Sequence, residues 1–370
     1  MKKTSIIFAM VFMVLFSCKK EEKTKCIVID IANTINTKEL KQFSLDDIAQ
    51  EIRLIPIETT DSILFGNVFI VGVTEEYIVV CEGTFGVEPA VYFINKTNGK
   101  VSSIINRYGR GPGEYIRIAF VSLNKRDETI YLSDLTKTNE YTFDGKLVNS
   151  FQNDSIGMLR MLKDGNFAVS YRWTNTANTE FALGIYDSSW NLKRKGMPKA
   201  EKNIKFDMIY TDGTIEFNDE CFYRLAHSDT LYRITSEFDE PYLVYAKGKY
   251  RLPIEIKASR EKTKKEGYRY IRDDSGMLIS KYDFLSFYYN NKLYYDVWNI
   301  ENSSLMYRSI YSREGGVYGI PITVNEKKIY VWPTFVSKDA IYCTIEGEDA
   351  INLIPSLLED SNPVILEIRL

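Results

Sequence analysis

Histidine is almost absent from this sequence, which contains only His227 among its 370 residues. Zinc sites built from several histidines, and catalytic groups that need more than one, are thereby excluded. A lone histidine can still act as a base, but Asp229 is too close in sequence to indicate a Ser-His-Asp arrangement. A loop histidine with satisfied hydrogen bonds is the simpler interpretation, so the sequence offers no firm histidine chemistry.

Cysteine is also scarce, and no CxxC motif occurs among Cys18, Cys26, Cys81, Cys221 and Cys343. The four cysteines after Cys18 allow three disulfide pairings, yet they are too few for a disulfide scaffold. Because Cys81, Cys221 and Cys343 lie in apolar, strand-like runs, we expect them to be buried free thiols.

An excess of charge of either sign is missing, since the net charge is −3. Removal of residues 1–17 would take away Lys2 and Lys3 and no acid, which changes the net charge from −3 to −5. This mild negative charge argues against nucleic acid as a partner.

No apolar run is long enough to cross a bilayer. The run from Ile6 to Phe16 is shorter than the roughly 20 residues that a transmembrane helix needs. Since Lys2 and Lys3 precede it, the run is typical of a signal peptide. It ends in Leu15-Phe16-Ser17-Cys18, which resembles the lipobox of bacterial lipoproteins. The resemblance implies a signal peptide over residues 1–17 and a lipid on Cys18. An ordinary secretory signal with a chance cysteine is the alternative.

Residues 18–40 are accordingly interpreted as the lipidated cysteine and a tether. The charged run Lys19–Lys23 resembles the surface-export signals of Bacteroidetes lipoproteins, while a solvated spacer explains it equally well. We expect a protein of the cell envelope that a lipid anchors to the outer membrane, facing the periplasm or the surface.

Aromatic residues are abundant, with 26 Tyr and 20 Phe, and both types favour strands. A short polar turn followed by an alternating apolar strand recurs six times at a mean spacing of about 50 residues, which matches one four-stranded propeller blade. The six turns begin at Glu75, Arg126, Lys163, Asn218, Asn290 and Asn325.

Second hairpins follow several of these turns, with Asn98-Gly99 and Asp144-Gly145 between alternating strands. The pattern predicts an all-β fold over residues 41–370: a single six-bladed β-propeller of four-stranded antiparallel blades. Strands within 52–57 and 362–370 should share the last blade and close the ring, with Pro56 at an edge. A short, charged surface helix is expected over 253–267.

Five segments, in this order, together resemble the six-bladed β-propeller lipoproteins of Bacteroidetes, which are distantly similar to NHL-repeat propellers. The segments are Leu54–Thr59, Gly109–Tyr115, Ser228–Tyr232, Gly248–Pro253 and Asn362–Val364. The resemblance implies the same fold. It brings no catalytic motif, because that family is defined by its fold.

The most motif-like segment is NRYGRGPGEY, from Asn106 to Tyr115. Pro112 stands where a Rossmann fingerprint would need its helix, and the GK[ST] of a P-loop is absent. A crossing between two blades is the first interpretation, with Glu114 accepting hydrogen bonds from backbone N–H groups or an arginine. The second is a ligand site at the propeller rim, where Arg107, Arg110, Glu114 and Tyr115 are the candidate residues.

Two functions from different classes fit such a propeller. A binding or interaction module for a glycan, a peptide or an envelope protein would present aromatic side chains, for which Trp173 and Trp190, near turns, are candidates. The alternative is a lactonase-type hydrolase or lyase that uses calcium bound by channel carboxylates, although no spacing singles out a metal or cofactor cluster. The first function predicts an exposed aromatic patch on one face; the second predicts three or more Asp, Glu or Asn side chains at one mouth of the channel.

Overall fold

The computed structural model describes residues 26–40, 42–82, 88–134, 137–152, 157–171, 181–198, 213–217, 220–225 and 228–370. These residues form six blades of antiparallel strands arranged as a β-propeller, so the predicted fold class is confirmed. Each blade packs against a neighbour on both sides. Central strands such as Thr129–Ser133 and Phe167–Tyr171 are therefore buried along their whole length.

The first described elements belong to blades whose other strands come later in the sequence. They are β1 (Ile27–Ile29), helix α1 (Ile31–Thr34), a 3₁₀ helix (Leu45–Asp47) and β2 (Glu51–Pro56). Blade 1 contains β3 (Val68–Val73), β4 (Tyr77–Glu82), β5 (Val91–Asn95) and β6 (Val101–Ile105). Blade 2 contains β7 (Phe120–Asn124), β8 (Thr129–Ser133), β9 (Lys137–Thr142) and β10 (Leu147–Gln152). Blade 3 contains β11 (Gly157–Met161), β12 (Phe167–Tyr171), β13 (Phe181–Tyr186) and β14 (Leu192–Pro198).

Blade 4 contains β15 (Gly213–Phe217), β16 (Glu220–Arg224), β17 (Thr230–Ile234) and β18 (Asp239–Tyr245), with β1 added at its edge. Short helices follow: a 3₁₀ helix (Gly248–Tyr250), α2 (Ile254–Lys257), α3 (Arg260–Glu266) and another 3₁₀ helix (Gly267–Arg269). Blade 5 contains β19 (Arg272–Ile279), β20 (Tyr282–Tyr289), β21 (Lys292–Asn299), β22 (Ser304–Ser312) and β23 (Gly315–Gly316). A separate hairpin of β24 (Ile320–Val324) and β25 (Lys327–Val331) precedes blade 6, which contains β26 (Phe335–Val336), β27 (Ala340–Ile345), helix α4 (Gly347–Leu353), β28 (Val364–Arg369) and β2.

The first strand of each blade faces the centre of the ring. Strand β3 contacts β7, β7 contacts β11, β15 contacts β19, β19 contacts β26, and β26 contacts β3. Six hydrophobic cores lie between neighbouring blades around this ring. The core between blades 6 and 1, for example, joins Ile365 and Tyr342 to Ile78 and Val80.

The predicted turns mark hairpins correctly, but two of them do not start a blade. Those at Glu75, Arg126 and Lys163 connect the first two strands of blades 1, 2 and 3, and Asn218 lies outside the described residues. The turn at Asn290 connects the second and third strands of blade 5, and the turn at Asn325 connects β24 to β25. Polar turns of this kind connect strands at different places in a blade, so turn chemistry alone does not identify a strand's place.

Ring closure follows the prediction. Strand β2 pairs antiparallel with β28 from Glu51 opposite Arg369 to Pro56 opposite Val364. Within the described sheet β2 is an edge strand, which accommodates the missing N–H group of Pro56.

The predicted tether over 18–40 differs from the structure in its second half. Strand β1 pairs in parallel with β18, and Ile29, Ile31 and Ile35 are buried in the core between blades 4 and 5. Their burial makes the segment from Ile27 onward part of the folded body. The chain before Cys26, including Cys18 and the signal peptide, lies outside the described residues.

The predicted helix over 253–267 is present as two short helices, α2 and α3. Ser259 separates them, and its hydroxyl accepts a hydrogen bond from the Lys262 N–H at 3.4 Å as the N-cap of α3. No helix in the described part of the chain is long and apolar enough to span a membrane.

The four cysteines in the described ranges are free thiols. Cys221 and Cys343 are buried, as expected, whereas Cys81 is partly exposed, because it lies near the end of a strand. Burial raises the pKa of the Cys343 thiol well above its usual range, and that of Cys81 to about 11.

Candidate functional site: a tyrosine platform at the crossing end

One end of the ring gathers most of the long connections. We call it the crossing end, because there the last strand of each blade leads to the first strand of the next. The hairpins between second and third strands also lie at this end, since neighbouring strands run antiparallel.

The segment Asn106–Tyr115 is the crossing from blade 1 to blade 2. Tyr115 is 1% exposed, and its hydroxyl donates to the Ile105 carbonyl at 2.8 Å. Glu114 accepts from the Gly111 N–H at 2.6 Å, and Arg107 donates to the Gly145 carbonyl at 3.2 Å. These contacts serve the loop itself, and Tyr115 in particular offers no surface to a ligand. Of the candidates in this segment, Arg107 and Arg110 are exposed.

Trp190 is a packing residue rather than an exposed ring. It lies in the β13–β14 turn with φ of 62°, and its indole stacks on Phe167 at 5.5 Å and contacts Phe151 at 4.6 Å. Its Nε1 atom is buried without a hydrogen-bond partner. The ring thus fills the contact between blades 2 and 3. Trp173 and His227 lie outside the described residues.

An exposed group of aromatic rings, which sequence reasoning missed, lies at the crossing end of blade 5. Tyr288 of β20 and Tyr311 of β22 both pair with Leu293 of β21, the strand that lies between them. Cross-strand partners project from the same face of a sheet, so both rings lie on one side of the blade. They are 38% and 44% exposed.

Tyr295 and Tyr318 complete this surface. Tyr295 is two residues from Leu293 and faces the same way, but it is only 3% exposed. The ring of Tyr318 covers it at 5.1 Å and is itself 51% exposed. Tyr311 contacts Tyr318 at 6.3 Å in an edge-to-face arrangement. We name Tyr288, Tyr295, Tyr311 and Tyr318 the tyrosine platform.

The platform has a rigid base. Trp332 packs beneath Tyr295 at 4.7 Å and against Phe284 of the blade core at 6.2 Å. The loop that carries Tyr318 is fixed at Gly319, whose carbonyl accepts hydrogen bonds from the hydroxyls of Tyr307 and Ser309, each at 2.9 Å. Gly319 has φ of 76°, and a Cβ atom there would meet the Val331 carbonyl oxygen at 2.3 Å. The platform is therefore held in place before any ligand arrives.

Arg272 lies at the edge of the platform. It is the first residue of β19 and pairs with Tyr288 across the sheet, and its guanidinium carbon is 5.6 Å from the centre of the Tyr288 ring. Its Nε atom is buried and has no hydrogen-bond partner among the described residues. Within the described part of the chain, Arg272 makes this cation–π contact and no ion pair.

A chain of alternating charges occupies the other side of blade 5, toward blade 4. Arg224 pairs with Asp274 at 2.6 Å, Asp274 with Lys247 at 2.8 Å, and Lys247 with Asp229 at 3.0 Å. Arg251 pairs with Asp229 at 3.2 Å. The chain thus joins three cations to two carboxylates. Although burial opposes ionisation, Arg224 and Lys247 hold the pKa of Asp274 well below its usual range.

Lys257 lies near this charge chain. Burial lowers the pKa of the Lys257 ammonium to about 8; Asp274 opposes the effect, whereas the positive charges of Lys247 and Arg224 add to it. The Lys257 ammonium is protonated at neutral pH and adds a further cation at the crossing end.

The first strands of the blades face the centre of the ring. There Arg160 of β11 donates to the Val121 carbonyl of β7 at 3.1 Å. Among the residues that the structure describes, no group of three or more His, Cys, Asp or Glu side chains could hold a metal ion.

The fold is a six-bladed β-propeller, and its crossing end presents exposed aromatic rings. The sequence from residue 26 to 369 matches the family model of a domain of unknown function, DUF4934, and the chain belongs to that family.

Two solved structures from Bacteroides share the fold. A Bacteroides fragilis protein predicted to be exported is 17% identical over 93% of this chain and 99% of its own, with a TM-score of 0.68. A member of the DUF4221 family from Bacteroides vulgatus is 10% identical over 87% of this chain and 96% of its own, with a TM-score of 0.53. At such identities the likeness shows a common fold alone. No curated protein matches the sequence.

Proposed function

We propose that this protein is a carbohydrate-binding module of the cell envelope and that the tyrosine platform is its glycan site. The observation that carries the proposal is the exposure of three tyrosine rings, Tyr288, Tyr311 and Tyr318, over a rigid aromatic base. A soluble protein gains nothing in stability from leaving such rings in water, so a contiguous exposed group marks a contact surface.

The chemistry of tyrosine suits a sugar. A pyranose ring offers a face of C–H groups and an edge of hydroxyls, and tyrosine offers an apolar face and a hydroxyl on one rigid side chain. Burial raises the pKa of Tyr318, and that of Tyr295 well above its usual range, so both phenols remain neutral hydrogen-bonding groups at physiological pH.

The test is binding of glycans to the soluble domain and to two matched variants. Tyr318→Ala removes the most exposed ring and should weaken binding about tenfold or more, equivalent to about 1.4 kcal/mol. Tyr108→Ala removes an equally exposed tyrosine, 49% exposed, from the crossing between blades 1 and 2 and should leave affinity unchanged. A glycan array followed by calorimetry on each positive sugar measures both effects.

Two results would count against the proposal: no retention of the domain by any glycan, or equal losses in the two variants. The latter result would direct attention to the Arg107 and Arg110 segment instead. The alternative of a calcium-dependent hydrolase or lyase has no observation in the described residues that favours it. Attachment of the module by a lipid on Cys18 is part of the proposal.

A further inference from the structure

Arg272 places a positive charge next to the tyrosine platform. Arg272 is partly buried and stacks on Tyr288, and its Nε–H group has no acceptor among the described residues. Since Arg272 forms no ion pair among the described residues, an anion beside the Tyr288 ring could accept charge-assisted hydrogen bonds from its guanidinium.

The neighbouring carboxylates do not satisfy Arg272. Asp274 is about 7 Å along the same strand, but it is already engaged by Arg224 and Lys247. Asp273, the adjacent residue, lies in a bulge with φ of 52° and forms no ion pair with Arg272 among the described contacts. The charge chain beyond them has one cation more than it has carboxylates. Arg272 is thus a cation next to a stacking surface, and it forms no ion pair among the described residues.

We propose that the glycan bound by the tyrosine platform is acidic, and that Arg272 binds its carboxylate while the tyrosine rings stack on the sugar. This inference rests on the proposed function and names the ligand class of the same site. An arginine presents several N–H donors in a plane that matches the two oxygens of a carboxylate. A uronic acid places that group directly on the sugar ring, within reach of an arginine beside the stacking rings.

The experiment compares an oligosaccharide with the same chain after its charge is removed. Oligogalacturonate and its fully methyl-esterified form have one backbone and differ only in the carboxylates; oligomannuronate and its methyl ester provide a second pair. Calorimetry of the soluble domain with each pair should show at least tenfold tighter binding of one acid than of its ester. That preference should decrease as salt concentration rises, because the ion pair is partly exposed.

Three variants assign the preference to Arg272. In Arg272→Gln the ratio of acid to ester affinity should fall toward one, while Arg272→Lys should keep part of it. Arg126→Gln removes an arginine that is 78% exposed at the opposite end of the ring, and it should keep the full ratio. Unchanged thermal unfolding temperatures confirm that the variants fold, and the acid–ester comparison on the natural sequence stands without them.

The outcomes separate the two proposals. If neutral sugars or esters bind as tightly as acids, or if Arg272→Gln keeps the preference, the acidic ligand is wrong while the glycan site stands. If neither acids nor neutral sugars bind, the glycan site itself is wrong, and the inference built on it falls too.

Discussion

At the scale of the residue, Asp283 is the most unusual side chain in the described structure. It is completely buried in blade 5, and neither carboxyl oxygen has a hydrogen-bond partner of good geometry among the described residues. Burial raises the pKa of Asp283 to about 7, although the nearby Tyr245 hydroxyl and the charge of Arg224 oppose the shift. The proton is therefore held in the folded state over a pH range in which the unfolded chain releases it.

The raised pKa of Asp283 makes the free energy of unfolding depend on pH. From pH 4 to 7 the unfolded chain binds fewer protons at this site than the folded protein, so Asp283 lowers stability as pH rises, by about 1.4 kcal/mol for each pH unit. We expect Asp283→Asn, which cannot ionise, to gain stability relative to the natural protein between pH 4 and pH 8. Urea unfolding at several pH values measures the difference, and a constant difference would contradict the buried, raised pKa.

At the scale of the element, ring closure depends on a charge as well as on strand pairing. Glu367 of β28 has a side chain with no exposed surface, and it accepts from Lys96 at 2.9 Å, Arg53 at 3.0 Å and the Tyr342 hydroxyl at 2.9 Å. Lys96 belongs to the β5–β6 turn of blade 1, so this carboxylate links the closing blade to the first one. Although burial raises the pKa of Glu367, these partners more than offset it and lower the pKa below its ordinary value.

We expect Glu367→Gln to destabilise the propeller by about 3 kcal/mol at pH 7, because it leaves buried cations without their anion. A carboxyl with a lowered folded pKa stabilises above its unfolded pKa and loses that contribution as pH falls. The difference between variant and natural protein should therefore shrink below pH 4. Glu51→Gln is the matched control, since Glu51 is half exposed and pairs with Arg369 across the same two strands. It should cost less than about 1 kcal/mol. Equal costs in thermal unfolding would refute the role given to Glu367.

At the scale of the whole molecule, the N-terminal segment straps two blades together. Strand β1 extends blade 4, and Arg308 of blade 5 donates to the Thr34 carbonyl while it forms a fully buried ion pair with Asp296 at 2.5 Å. The folded body therefore begins soon after the proposed lipid. Cys18 and Cys26 are eight residues apart, which spans at most about 29 Å. A lipid on Cys18 would hold the propeller close to the membrane surface.

The lipid is tested on the full chain expressed in a bacterial host. We expect the natural protein to appear in the membrane fraction, with an N-terminal peptide that starts at Cys18 and carries acyl chains in mass spectrometry. Cys18→Ser should be released from membranes and lack that peptide. Recovery of an unmodified Cys18 peptide, or of a mature chain that starts elsewhere, would show an ordinary secretory signal.

The alternation of apolar and polar residues, together with the turn residues, was sufficient to predict the fold. Asn98-Gly99 and Asp144-Gly145 are local signals, because the glycine of each pair supplies the positive φ that the turn needs whatever surrounds it. Local sequence could not predict where in a blade the turns at Asn290 and Asn325 lie, because that depends on which strands meet at the centre of the ring. The long spacing before Asn290 contains the helices α2 and α3 and the first hairpin of blade 5, which joins β19 to β20.

The candidate site was less accessible to sequence reasoning. Tyr288 and Tyr311 alternate with core residues like many other tyrosines in this chain, so their sequence context does not distinguish them from the buried Tyr295. Trp190, a candidate ligand residue because it is near a turn, packs between two blades. The paired glycines before Tyr318 and the glycine after it were the one available signal of an unusual surface loop.

The sequence by itself determined the strand pattern, the short hairpins and the closing pair of strands, because each of these depends on neighbours in the chain or on one apolar face. Only the tertiary structure decided which rings are exposed, that β24 and β25 stand outside the blades, and that Arg272 forms no ion pair among the described residues. Exposure and charge balance depend on which distant segments pack together, and single residue types carry no record of that.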